Sequence, residues 1–315
     1  MTATQSTSDA QTMILHHYEN SPYAEKIRLM FGLTGSSWGS LISPAWPPRP
    51  NVDPLSGGYR RIPIAQLGAD IFCDSSLIAR ELAHRAGQPA LDPANVSGAA
   101  RELMHRAEGA GFFSAITAVP PLKLLGTMLG SFGPRGAYRF VKDRSGLLKG
   151  GSARPPSAEN ARTVMRELFS SADQLLAEQA WLGGEQASVA DFALYHPLWL
   201  HLQCGGRLPD DATHLKAWYD KVSAIGHGTR IDITQADAFA AARDADPRPL
   251  PGNASRDDER TGREVRVAPE DYGLVPVSGR LVALTPNRIV LARETEQFGT
   301  LHVHFPVEGY STTPD

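Results

Sequence analysis

At 315 residues the chain is long enough for about two domains with room for an appendage, and a hydrophobic share of 42% with a charged share of 21% excludes a disordered or fibrous protein. A net charge of −3 gives no electrostatic case for nucleic acid or an anionic membrane, and no apolar run approaches the ~20 residues that span a bilayer. Two cysteines, Cys73 and Cys204, exclude a disulfide framework and suit a reducing cytoplasm.

Residues 1–12 are rich in Ser, Thr and Gln, with neither a basic n-region nor an apolar h-region, and are expected to form a disordered tail rather than a signal peptide. MILHHY at 13–18 reads as a strand, and SPYAEKIRLMF as a helix entered at Pro22. From 34 to 58 the sequence is loop-like, with five prolines in SPAWPPRPNVDP. Trp46 among them is either a plug over the loop or one wall of a ligand cleft. RRIPIAQLGADIFCDSS at 60–76 then gives two short strands, a turn at 68–70 and a capped helix. Pro63 belongs at a strand's first residue or on a bend, because it cannot donate to a ladder. Asp74 and Ser75 put a carboxylate and a hydroxyl at a helix N-terminus. They serve as a plain N-cap, or they hold a small zwitterion whose ammonium pairs with the carboxylate.

GQPALDP is a linker, followed by a helix over 96–118. Met104, His105, Phe112 and Phe113 on it are core residues or an apolar cleft wall. Residues 119–156 are interrupted by glycines and prolines without the Lys-Ser/Thr of a phosphate loop, and are expected to be a flexible excursion bordering the cleft. A helix follows over 157–179 with Ser157 as its cap. Ser188 and Asp191 form a capping box before DFALYHPLWLHLQ, which Pro197 should kink. LKAWYDKV at 215–222 is one more helix. The proline-rich, charged stretch 245–264 marks a boundary, beyond which 280–284, 287–293 and 299–305 read as strands of a small meander. Three strands cannot stand alone, so this tail must cover the helical domain or build a subunit contact.

Four motifs in order carry a family likeness: S-P-Y-A-x-K-I-R after the first strand, R-I-P before the strand pair, D-S-S opening the next helix, and the S-V-A-D box. Together they span about 13–225, and the chain resembles the glutathione transferase superfamily. The implied fold class is α+β: a thioredoxin-like α/β domain at 13–88, an all-helical domain at 95–244, a linker at 245–264 and an antiparallel β-rich extension at 265–315. The proline loop stands where the superfamily usually has a helix, and there the likeness stops.

The resemblance implies that glutathione is the co-substrate and that Ser21 activates its thiol. A hydroxyl at a helix N-terminus can donate to sulfur, and the helix end favours the thiolate. Tyr18, Asn20 and Tyr23 stand close enough to compete for that role. It also implies that the Ile62 backbone, between Arg61 and Pro63, pairs with the cysteinyl part of glutathione, and that Asp74 and Ser75 hold its γ-glutamyl end. Arg61 then either reaches the peptide or is a surface arginine. Tyr23, Trp46, His105, Phe112 and Phe113 would line the substrate cleft. The expected partners are a small apolar electrophile and a second copy in a homodimer. A non-catalytic scaffold that binds a protein through its cleft or its tail is the alternative. No metal is expected. His16 and His17 alternate across a strand, and His302 and His304 share a strand face without an evident acidic or cysteine partner. Cys73 reads as a small buried apolar residue.

Overall fold

The computed structural model describes residues 12–252 and 258–315. The N-terminal tail up to residue 11 and residues 253–257 of the linker lie outside them. The first strand, β1 (Ile14–His17), is buried along its whole length, as a strand covered on both faces must be. It pairs in parallel with β2 (Ser37–Ile42) and antiparallel with β3 (Ile64–Leu67), which turns into β4 (Asp70–Cys73). Helices α1 (Pro22–Leu33) and α3 (Ser75–Ala86) pack on each other beside this sheet, which gives the thioredoxin-like arrangement. The stretch between α1 and β3 is not the plain loop expected. Ser37–Ile42 forms β2 ahead of the prolines, and Asp53–Ser56 forms the short helix α2 after them. Trp38 is fully buried there, its ring stacked on Phe31 and its indole N–H donating to the His227 carbonyl at 2.7 Å.

The helical body comprises α4 (Gly98–Arg106), a π-helical turn at Ala107–Gly111, α5 (Phe112–Thr117), α6 (Pro121–Leu147), α7 (Ala158–Glu178), α8 (Val189–Gln203) and α9 (Thr213–Ser223). One expectation is corrected here. Residues 121–147 form a 27-residue helix rather than a flexible excursion, entered at Pro121 and broken at Gly133, where φ is 64° ahead of Pro134. The helix α8 runs through Pro197 without interruption. Its capping box is present. Asp191 accepts from the Ser188 and Leu182 amides, both at 2.8 Å, and from the Trp218 indole at 2.9 Å.

After α9 the chain returns to the sheet. Strand β5 (Thr229–Asp232) adds in parallel to β2, and α10 (Gln235–Arg243) sets Ala238 against Ile14 and Leu41. The extension supplies five strands: β6 (Glu264–Pro269), β7 (Val277–Thr285), β8 (Arg288–Thr295), β9 (Gly299–Phe305) and β10 (Tyr310–Pro314). It neither covers the helices nor stands apart. Strand β9 pairs in parallel with β4, Ile71 opposite Val303, so one sheet of ten strands runs β10-β6-β7-β8-β9-β4-β3-β1-β2-β5. The two core clusters reflect this. One joins α1 and α3 to α4, α7 and α8; the other joins Tyr59, Ile62, Ile64 and Cys73 to Val267, Leu281, Val303 and Phe305 of the extension.

Candidate active site

Ser21 is the N-cap of α1. Its Oγ accepts the Ala24 amide at 3.3 Å, and the side chain is almost completely buried. That bond leaves the hydroxyl proton for a ligand, at the helix end where negative charge is favoured. Ile62, joined to Pro63 by a cis peptide, stands in the loop just ahead of β3. Ser21 and Ile62 line one cavity of about 410 Å³ together with Tyr23, Arg61, Phe112 and Phe113. Six of the residues expected at the site thus share a single space, closed on the far side by Leu124, Met128 and Phe132 of α6 and by Trp199 of α8.

Five expected residues do not line it, among them Pro63, which leads into β3. His105 faces solvent on the outer side of α4, whose inner side buries Ala100, Leu103 and Met104, and only Phe112 and Phe113 further on reach the cavity. Trp46 stands behind the wall rather than in it, edge-on to Phe132 and Phe140 at 6.1 and 6.5 Å. Asp74 and Ser75 do not line the cavity. Asp74 is the N-cap of α3, at a φ of 79°, and one of its oxygens accepts from the Ser76 amide at 2.9 Å and the Ser76 hydroxyl at 2.8 Å. Its other oxygen accepts from the Tyr310 hydroxyl at 3.0 Å, and that hydroxyl is 2.5 Å from the Tyr59 hydroxyl. Ser75 is buried beneath this cluster.

The extension therefore reaches into the site. Arg61 donates to the Asp271 carboxylate and, at 2.6 Å, to the Tyr272 carbonyl, and its guanidinium lies 3.9 Å from the centre of the Tyr272 ring. Tyr272 itself lines the cavity, beside Tyr23. Burial, then Tyr272 and Glu108, push the Tyr23 phenol well above its usual range, so it stays neutral and can act only as a hydroxyl. Tyr18 accepts from Arg144 at 3.1 Å. No Asp or Glu lines the cavity, whereas Arg49, Arg60, Arg61 and Arg144 do. Arg49 is almost fully buried among backbone carbonyls, and burial followed by Arg60 and Arg144 lowers it to about 10. Cys204 also lines the cavity, but burial raises its thiol to about 11 and keeps it from acting as a nucleophile at neutral pH.

Behind Tyr23 lies a buried charge cluster that sequence reading missed. Lys26 of α1 donates to Glu108 at 2.6 Å, and His196 of α8 stands 3.6 Å from the same carboxylate. Burial opposes the charge on Glu108, but Lys26 and His196 prevail and hold it at about 2. Four further histidines stand in the sheet, on β1 and β9. His16 pairs with Gln66 at 2.9 Å and His17 with Ser40 at 3.0 Å. His302 and His304 do have an acidic partner. Asp70 on the neighbouring strand lies 2.7 Å from His304 Nε2 and also accepts the Arg248 amide at 2.9 Å. This ties β9 and the linker to β4. The Cys73 thiol is fully buried, as expected.

A thioredoxin-like domain with a serine at its first helix start and an all-helical domain closing an apolar cleft defines a class of two-domain proteins. Family models agree with it: residues 15–90 match the glutathione S-transferase N-terminal domain, and residues 138–225 match the glutathione S-transferase C-terminal domain. The chain belongs to the glutathione transferase superfamily. Among solved structures, a GST-like protein from Pseudomonas syringae is similar at 28% identity and a TM-score of 0.77, over 97% of this chain and 100% of that one. That match takes in the β-rich extension. Two others match over a smaller share. A glutathione S-transferase from Xanthobacter autotrophicus Py2 has 19% identity, a TM-score of 0.44 and coverage of 68% and 93%. A glutathione transferase family member from Pseudomonas fluorescens Pf-5, solved with two glutathione bound, has 17% identity, a TM-score of 0.45 and coverage of 70% and 91%. No curated protein sequence matches the chain.

Proposed function

We propose that this protein is a glutathione transferase in which Ser21 holds and activates the glutathione thiol for attack on a small apolar electrophile. The observation that carries the reading is that Ser21 and Ile62 open into the same cavity as Phe112 and Phe113. The Ser21 hydroxyl would donate to sulfur at the N-terminus of α1, and both the hydrogen bond and the helix end favour the thiolate, which is the nucleophile. The Ile62 backbone would pair with the cysteinyl part in strand fashion. Arg61 and the other cavity arginines offer cations to a peptide that carries two carboxylates. Asp74 and Ser75 would receive the γ-glutamyl end once the Tyr310 hydroxyl yields its place. The electrophile would lie between Tyr23, Phe112, Phe113 and α6. Two unpaired buried cysteines fit a reducing cytoplasm.

A second reading has its own support. Asp74 and Arg61 are already engaged by Tyr310 and by Asp271, as they would be in a scaffold that keeps the fold and binds a protein partner instead. Calorimetric titration of glutathione separates the two. Binding by the wild type, with Ser21→Ala losing about tenfold or more in turnover while keeping glutathione affinity, supports the transferase. No binding by the wild type favours the scaffold, and unchanged turnover in Ser21→Ala removes Ser21 from the mechanism.

A further inference from the structure

The net charge of −3 averages over an uneven chain. Residues 121–154 hold seven Lys and Arg against one Asp, which leaves a net −9 on the rest. This basic stretch is α6 and the loop that follows it. Among the described residues, α6 also carries five of the nine large apolar side chains that stand exposed: Leu122, Leu125, Leu129, Tyr138 and Val141, with Leu122 at 84%. Of its 27 residues only Ala137 is fully buried, so packing within the chain does not account for this apolar surface.

The two legs of α6 present it in order. Before Gly133, Leu122, Leu125 and Leu129 recur at helical spacing and form one exposed stripe. After it, Arg135, Tyr138, Arg139 and Lys142 share an exposed face at the same spacing. The single acid, Asp143, is turned inward, 2.5 Å from Arg60 and 2.8 Å from Arg144, and does not neutralise that face. A groove of about 700 Å³ runs alongside, lined by Arg139, Lys142 and Lys149 and by Trp46 and Pro47, with Asp143 in its wall beside Arg60.

We infer that α6 is a docking element for an anionic membrane surface, its leucine stripe set into the lipid and its basic leg among the headgroups. An apolar stripe continued by a basic face without acids complements anionic lipid in both respects. The element lies on the bilayer and does not cross it. No single described helix is long and apolar enough to span. The stretch Gly98–Thr117 would have to cross together with α6, but it is bent from it by 94° and packed on α7 and α8. Because α6 also closes the cavity, docking sets the cavity's apolar wall against the membrane, where apolar substrates concentrate. The inference does not depend on glutathione binding.

The test is co-sedimentation of the full chain with phosphatidylcholine vesicles, with and without phosphatidylglycerol, at low and high salt. Binding is expected on the anionic vesicles and should fall with salt. R139Q/K142Q should lower partitioning about twenty-fivefold, at about fivefold per basic residue. L122D/L125D/L129D should lower it by at least about tenfold; these side chains are exposed, and an unchanged circular dichroism spectrum checks the fold. Absence of binding overturns the inference, and so does binding indifferent to the leucine substitutions, which would be charge adsorption alone. Sedimentation velocity supplies the third arm. A dimer that L122D/L125D/L129D dissolves, with no vesicle binding, would assign this face to a second copy of the chain.

Discussion

The hydroxyl of Tyr310 shares one Asp74 oxygen with the Arg61 guanidinium, 3.8 Å from it, and Tyr310→Phe isolates the hydroxyl's part. The substitution keeps the ring, which packs 5.9 Å from Phe305 and 6.5 Å from Tyr59, and deletes two hydrogen bonds. One is the 3.0 Å bond to the Asp74 carboxylate, a charge-assisted contact of roughly 1.5–3 kcal/mol. The other leaves the Tyr59 hydroxyl, itself fully buried, without its partner at 2.5 Å, at about 1–3 kcal/mol. Urea denaturation should therefore show a loss of about 3 kcal/mol. Glutathione affinity should move the other way. If the γ-glutamyl ammonium takes the place of the Tyr310 hydroxyl on Asp74, binding no longer has to break that bond. The dissociation constant should fall by about tenfold or more. Calorimetry on the wild type, Tyr310→Phe and Tyr310→Phe/Asp74→Asn reads this directly, because the gain should vanish in the double variant. A destabilised Tyr310→Phe with unchanged or weaker glutathione binding would refute Asp74 as the anchor.

Asp191→Ala should cost about 3–5 kcal/mol, since it strips the Leu182 and Ser188 amides and the Trp218 indole of their acceptor inside the helical core; chemical denaturation checks this. Acid should destabilise the chain well before its carboxylates titrate. Burial lowers His16 to about 4, and burial, then Arg28 and Arg230, lower His17 to about 3. Below pH ~6.5 the unfolded chain binds protons that the folded chain refuses. Stability is then whole above that pH and falls by up to about 1.4 kcal/mol per pH unit per histidine as pH drops toward 4. Below ~4.5 Glu108, held at about 2, adds loss in the same direction. Urea midpoints measured between pH 7 and 4 should fall steadily, and a flat profile down to pH 5 would contradict the buried neutral state of this pair.

What the sequence disclosed was what is local. Helix starts at Pro22, Ser157 and Ser188 could be read because a cap and its amide lie within three residues. Ser21, Tyr23, Arg61, Ile62, Phe112 and Phe113 could be gathered into one site because ordered motifs implied a fold that brings them together. Non-local pairings gave no such signal. Tyr272 meets Arg61 from more than two hundred positions away, and neither residue's neighbours announce the other. His302 and His304 lacked an acid in their own strand, while Asp70 waited on the strand that β9 would join. In α6, Gly126, Gly130, Gly133 and Gly136 imitate a loop by propensity, yet three of the four are carried within regular helix and only Gly133 breaks it. Average charge misled in the same way, since −3 conceals a basic helix.

The extension is best understood through the edge it removes. Without β9, β4 would be the exposed edge of a five-stranded sheet, with unpaired amides and carbonyls beside the site. Pairing Ile71 with Val303 makes β4 an interior strand and lets one core run from Ile64 to Val267 and Phe305. The same register carries Tyr310 to Asp74, while the segment between β6 and β7 lays Asp271 and Tyr272 on Arg61. Structural closure of the sheet and occupation of the Asp74 and Arg61 side chains are thus one device. Deleting residues 265–315 would bare the edge of β4 and leave Asp70 without His304, so a change in glutathione binding could not be told from a damaged sheet. Point substitutions at Tyr310 and Asp271 separate the two effects, because each releases a polar group at the site and leaves the ladder between β4 and β9 intact.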